Sequence, residues 1–153
     1  MRWSKLRKLV EDRFAPSVAK RLAIHSAAYG NCTCGHCWIT LDKEVIANFC
    51  TRAYWNKEML GETGVNPMYK DQLVLYGEKS RQDAYRSMFD SVHSLSHDEA
   101  LKSDDVLIQA LAVLDSRLGK RRLEAFDDST LHPLAKKLLA IRQEAELTQS
   151  SAV

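Results

Sequence analysis

The sequence predicts an α+β fold: an N-terminal helix, a small antiparallel sheet of about three strands, and a C-terminal helical group. Apolar residues at helical spacing in the first and last parts, and alternating or β-branched ones between them, carry that prediction. With 153 residues, 22 Lys+Arg against 20 Asp+Glu and 45% hydrophobic residues, the chain is expected to form a single domain over 1–153. A chain of this length hides roughly 68–70% of its unfolded surface, so cysteines are not required as staples. Six Gly and three Pro are too few for a low-complexity chain. No apolar run approaches the ~18 residues of a membrane span, so no membrane partner is expected.

Trp3, Leu6, Val10 and Phe14 share one stripe, with Lys5, Arg7, Lys8, Glu11 and Asp12 elsewhere, which predicts a helix over residues 3–14. Pro16 stops it. Leu22 and Ile24 then alternate with Arg21, Ala23 and His25, giving a strand over 19–28. Tyr29 to His36 reads as a loop, Cys37 to Leu41 as a strand, and Asp42-Lys43-Glu44 as a hairpin turn before a strand from Val45 to Phe49. The turn lacks Asn-Gly or Asp-Gly, so its type stays open. Such a sheet needs helices over one face.

The helices follow. Residues 52–60 form a short one, 61–66 a loop, and Asn66-Pro67 offers a cap before proline at the first helical position. Tyr85, Met88, Phe89 and Val92 make a helical stripe, and Ser96 with Glu99 a capping box. Ser103, Asp104 and Asp105 signal another start. Leu107, Leu111, Leu114 and Leu118 continue as a seam closed by Gly119, a C-terminal cap. Pro133 opens a final helix through Leu134, Leu138, Ile141 and Ala145, and the small polar tail 148–153 is predicted to be disordered.

Charge is polarised: about +5 over residues 1–25, 0 over 26–89, −5 over 90–116 and +2 over 117–153, for a net +2. The basic start is not followed by the apolar core of a signal peptide, which predicts a cytoplasmic protein. A pI near 8.3 falls short of the value above ~9 typical of nucleic-acid-binding domains.

Met1-Arg-Trp-Ser-Lys-Leu-x-Lys-Leu-Val-Glu, Trp38-Ile-Thr-Leu-Asp, Phe49-Cys-Thr-x-x-Tyr-Trp55 and Leu114-Asp-x-Arg-x-Gly-Lys-Arg-Arg-Leu123 together resemble a family of small bacterial proteins described as uncharacterised. The resemblance implies a small bacterial cytosolic protein and no particular reaction. It also implies that the loop before Trp38 varies and need not hold cysteines.

Cys32-Thr-Cys34-Gly-His36-Cys37 is the densest cluster of reactive side chains. Cys34-Gly-His-Cys37 looks like the redox motif of protein disulfide isomerases, but the strand that follows lacks the helix N-terminus needed for activation. Zinc would take Cys32, Cys34 and Cys37 with His25, His36 or Cys50 as fourth ligand, although structural sites usually draw on two separated pairs. His93 and His97 have four-residue spacing, yet Ser94 to Ser96 reads as a helix break between them. The plainer expectation is a strand-connecting loop that tolerates its cysteines, with no cofactor and with Cys50 a small core residue.

Arg117, Lys120, Arg121 and Arg122 are expected to follow a helix end, where cations complement the dipole and could meet a partner or phosphates. The alternative is an internal clamp onto Asp104, Asp105, Asp127 or Asp128. Trp38, Tyr54, Trp55 and Tyr69 are expected to be buried; exposed, they would mark a partner site. His25 could serve as acid or base with Asp42 or Glu44. No phosphate-loop, dinucleotide, nucleophile-elbow or zinc-protease motif is present. The expectation is a non-catalytic interaction protein with an unknown protein partner, nucleic acid being the weaker choice, against a protein with a zinc-binding or redox-sensitive loop at 32–37.

Overall fold

The computed structural model describes residues 1–30, 34–61 and 73–151. They form an N-terminal helix, a three-stranded antiparallel sheet and several C-terminal helices, as the sequence predicts. The elements are α1 (Trp3–Glu11), α2 (Pro16–Ala19), β1 (Leu22–Ala28), β2 (Gly35–Leu41), β3 (Glu44–Cys50), α3 (Thr51–Leu60), α4 (Arg81–His93), α5 (His97–Leu101), α6 (Val106–Leu114), α7 (Lys120–Glu124) and α8 (Pro133–Ser151). The expected Asn66-Pro67 helix start lies outside the described residues. No described helix is long and apolar enough to cross a membrane.

The chain divides into two compact units, Arg21–Arg86 and Met1–Lys20 with Ser87–Val153. The first is the sheet with α3 and the start of α4. Its strands run as a meander, β1-β2-β3. Asp42 and Lys43 form a two-residue turn with both φ values positive, 50° and 73°, between the paired Leu41 and Glu44. That is the twist hairpins prefer, but neither residue is the glycine that usually adopts it. The Arg21 guanidinium grips both Asp42 carboxylate oxygens at 3.0 and 2.8 Å, and the Arg21 carbonyl accepts from the Asp42 amide at 2.8 Å.

Leu22, Ile24, Cys37, Ile39, Ala47 and Phe49 lie on the buried side of the sheet. A bulge at Ile39/Thr40 shifts the register between β2 and β3. Gly35 is required by close approach: a Cβ there would sit 2.1 Å from the Ala27 carbonyl oxygen. Its amide donates to Thr51 Oγ1 at 3.1 Å, and that buried hydroxyl donates to Gln82 Oε1 at 2.7 Å, tying β2 to α3 and α4. Gly61, in the left-handed region at φ 65°, closes α3.

In the other unit α6 packs on α5 and α8, around Leu107, Leu114, Leu118, Leu123, Leu134 and Leu138. The Ser96–Glu99 capping box opens α5 as predicted. Asp105 caps α6, accepting from Leu107 and Ile108, while Ser103 accepts from the Asp105 amide one step upstream. Two expectations are corrected. The first helix stops at Glu11 rather than running to residue 14, with Phe14 already extended and bridged to Asp115. Pro16 does not stop it but opens the one-turn α2, because proline suits the first helical position. The Leu107–Leu118 seam is not one helix: α6 stops at Leu114, where Asp115 turns extended and bridges to Phe14. Gly119 then precedes α7 instead of closing α6. At the other end, α8 continues through Ser151, with the Thr148 and Ser151 hydroxyls donating to the Glu144 and Leu147 carbonyls.

The break after α6 leaves carbonyls that need donors. Buried Arg142 of α8 supplies them, donating to Val113 O at 3.0 Å, Asp115 O at 2.7 Å and Leu118 O at 2.5 Å. Buried His97 donates through Nε2 to Ala112 O at 3.0 Å. Asp115 holds Arg117 by paired hydrogen bonds, and although burial opposes its charge, those bonds keep its carboxyl below the usual range.

Two stability measurements follow from these contacts. Replacing Arg142 by methionine leaves several carbonyls without donors and should cost about 3 kcal/mol or more in urea denaturation; a loss under about 1 kcal/mol would contradict the clamp. Lys43→Gly relieves a left-handed backbone that costs a side chain roughly 1–2 kcal/mol, so part of that, about 0.5–1 kcal/mol after the added freedom of the unfolded chain, should appear as a gain in stability.

Candidate functional site

The candidate site lies in the sheet unit, on α3 and on the side of the sheet away from Ile24, Ile39 and Phe49; Thr40, Asn48 and Cys50 are buried there too, Cys50 as a small core residue as the sequence leads one to expect. Alternation along the strands puts His25 of β1, His36, Trp38 and Thr40 of β2, and Asn48 and Cys50 of β3 on that side. His25 is paired with Trp38, Trp38 with Asn48, and His36 with Cys50. Both imidazoles stack on the Trp38 indole, His25 at 5.1 Å and His36 at 4.7 Å between ring centroids. His25 Nε2 meets Thr40 Oγ1 at 3.0 Å, and His36 Nε2 is hydrogen-bonded to Asn48 Oδ1. Burial lowers the His36 pKa, although the Asn48 hydrogen bond works against this.

Beside this row, Tyr29 Oη and Cys50 Sγ are 3.0 Å apart. Burial and then the Cys50 contact push the Tyr29 phenol up to about 12. The Arg52 guanidinium lies 5.1 Å from the centre of the Tyr29 ring. Cys50 is also the residue from which α3 starts, and its side chain makes no capping bond to the helix.

Along α3, Ala53 is buried while Trp55, Met59 and Leu60 are 49%, 79% and 70% exposed. Trp55 and Met59 are four residues apart and share a helix face. Apolar residues therefore surround much of the helix, a pattern that belongs to helices covered on more than one side.

The sequence-predicted residues are distributed unevenly over this geometry. Cys32 lies outside the described residues, and Cys34 is disulfide-bonded. Cys37 is a free thiol on the core side, and burial pushes its pKa up to about 12. His36 belongs to β2 rather than to the expected loop, so it and Cys37 point to opposite sides of the sheet. Among the described residues no three His, Cys, Asp or Glu side chains converge in a way that could hold a metal. His25 is engaged with Thr40, while Asp42, one of its two expected partners beside Glu44, is held by Arg21. His93 packs tilted against the Phe89 ring, and His97 starts α5 on the other side of the break at residues 94–96.

Arg117, Lys120, Arg121 and Arg122 are placed differently from the expectation. The last three belong to the five-residue α7 instead of trailing α6, with Arg121 and Arg122 in its last turn, because α6 ends earlier than its leucine seam implies. Arg122 pairs with Asp98 at 2.8 Å and Arg117 with Asp115 at 2.7 Å, neither being one of the four aspartates anticipated as clamps. Lys120 donates to Ser150 Oγ at 3.2 Å. Trp55 is exposed where burial was expected; Trp38 and Tyr54 are half-buried, and Tyr69 lies outside the described residues.

Sequence reasoning missed Asn48 and Tyr29 altogether. Two-residue periodicity counted outward from the Asp42–Lys43 turn would set Phe49 opposite His36; the extra residue at the Ile39/Thr40 bulge, which carries no mark in the sequence, is what brings Asn48 and Cys50 to the side of His36.

No curated protein and no solved structure matches this chain. Residues 2–143 match a family model, and over that extent the chain belongs to the SF0329 protein family.

Proposed function

We propose that this is a cytoplasmic interaction protein that engages a protein partner through the exposed apolar face of α3. The observation that carries the proposal is the exposure of Trp55, Met59 and Leu60 within six residues of one helix. Single exposed apolar side chains are ordinary, but contiguous ones rimmed by polar groups are typical of docking surfaces. Tryptophan concentrates binding energy in a large rigid ring, and methionine adapts to varied partners. Arg52, exposed one turn before Trp55, supplies a polar rim.

The basic residues Arg117 to Arg122 give this reading less support, since Arg117 and Arg122 already have carboxylate partners within the chain. A second reading, a redox-sensitive loop at residues 32–37, draws support from the disulfide at Cys34.

A photo-crosslinking amino acid at position 59, incorporated in the native host, tests the docking face. One discrete crosslinked species is expected, falling at least tenfold when Trp55→Glu is added and absent when the crosslinker sits at exposed Lys136 on α8. Equal yields at 59 and 136, or yields indifferent to Trp55→Glu, would overturn the proposal.

A further inference from the structure

We propose that the groove between α5, α7 and residues 126–131 binds a small organic cation, an ammonium group carried on an aromatic or branched apolar body. This concerns the helical unit, goes beyond the docking reading of α3, and stands or falls separately from it.

The groove has a volume of about 470 Å³, within the roughly 300–1,000 Å³ range of pockets that enclose a small molecule. Pieces distant in sequence make it: the end of α5 with Ser103 and Asp104, Arg122 of α7, and residues 126–131. Gln109 of α6 ties two of these together. Its Nε2 donates to the Ser103 carbonyl at 3.3 Å, and its Oε1 accepts from the His132 amide at 3.0 Å. Arg122 donates to Asp98 Oδ1 at 2.8 Å and so joins α7 to α5. A groove braced in this way is preformed, which spares a ligand the cost of ordering loops on entry.

Part of the lining is apolar. Leu101 and Leu131 are buried and Phe126 is half-buried, so an apolar body entering the groove leaves water for carbon surface. The aromatic ring of Phe126 also attracts a cation.

The charged lining selects the sign. Three carboxylates, those of Asp98, Asp104 and Asp127, stand against two cations, Lys102 and Arg122. Arg122 is paired with Asp98, which leaves Asp104 and Asp127 against Lys102. The hydrogen bond from Arg122 holds the Asp98 carboxyl below the usual carboxylate range, and the one from the Ser129 amide does the same for Asp127, so both are ionised at neutral pH. Asp105 and Asp128, each next in sequence to a lining aspartate, add to the negative field. An anion would be repelled there, and a neutral apolar molecule would take carboxylates out of water without giving them a partner. A bare metal ion has no use for the apolar part, and among the described residues no three acidic groups converge to hold one. An ammonium on an apolar body meets both kinds of lining at once.

Titration of the isotopically labelled protein with phenethylamine, 2-phenylethanol and 3-phenylpropanoate, which share a ring and differ in charge, tests the site. The amine is expected to shift the amide signals of residues 101–104 and 126–131 and to bind at least about fivefold more tightly than the alcohol, a ratio within reach of two exposed ion pairs. The carboxylate should bind most weakly. Asp104→Asn combined with Asp127→Asn should bring the amine down to the affinity of the alcohol. The pair is compatible with the fold, since Asp105 rather than Asp104 caps α6 and an asparagine at 127 keeps an oxygen for the Ser129 amide. Unmoved signals at these residues with millimolar amine, equal binding of amine and alcohol, or a preference that survives the double substitution would each overturn the proposal. The three wild-type titrations decide the matter even where the double variant fails to fold, and crosslinking on α3 is unaffected by either outcome.

Discussion

The register of β2 against β3 is the constraint on which the sheet unit depends. A two-residue turn at Asp42 and Lys43 and a bulge at Ile39/Thr40 together decide which side chains meet. With that register Cys37 pairs with Phe49 in the core, and His36 with Cys50 on the other side. A slip of one residue in β3 against β2 would carry Asn48 and Cys50 to the core side beside Cys37 and turn Phe49 out of it. The Arg21–Asp42 grip and the Gly35–Thr51–Gln82 chain hold the two ends of the hairpin. Thr51 immediately follows Cys50, so the contact that anchors β2 also fixes where α3 begins and hence where the thiol sits.

The second unit rests on a comparable economy of donors. Ending α6 at Leu114 creates unsatisfied carbonyls in an apolar setting, and one arginine from α8 answers three of them. The leucines around that clamp would pack against many shapes. The guanidinium, with its fixed fork of donors, accepts only one path for the chain from Val113 to Leu118. That path in turn sets α7, from which Arg122 reaches Asp98.

Local signals were enough for much of this fold. Trp3, Leu6 and Val10 announce α1, Ser96 and Glu99 announce α5, and Pro133 announces α8, because each depends on spacing within a few residues. What local reading missed turns on contacts distant in sequence. Leu118 continues the leucine spacing perfectly, yet the Phe14–Asp115 bridge ends the helix before it. His36 stands next to glycine in a cysteine-rich stretch and reads as loop, but pairing with Cys50 makes it strand. Trp55 carries no mark in the sequence that separates an exposed aromatic from a buried one. The cysteine cluster drew attention by density, whereas Cys50 gains its neighbours Tyr29, His36 and Asn48 only through pairing.

The register itself can be measured directly by nuclear Overhauser contacts in the isotopically labelled protein. The account predicts cross-strand backbone contacts between His36 and Cys50 and between Trp38 and Asn48. Contacts linking Cys37 to Cys50 and Trp38 to Phe49 in their place would place the hairpin one residue out of step and contradict it.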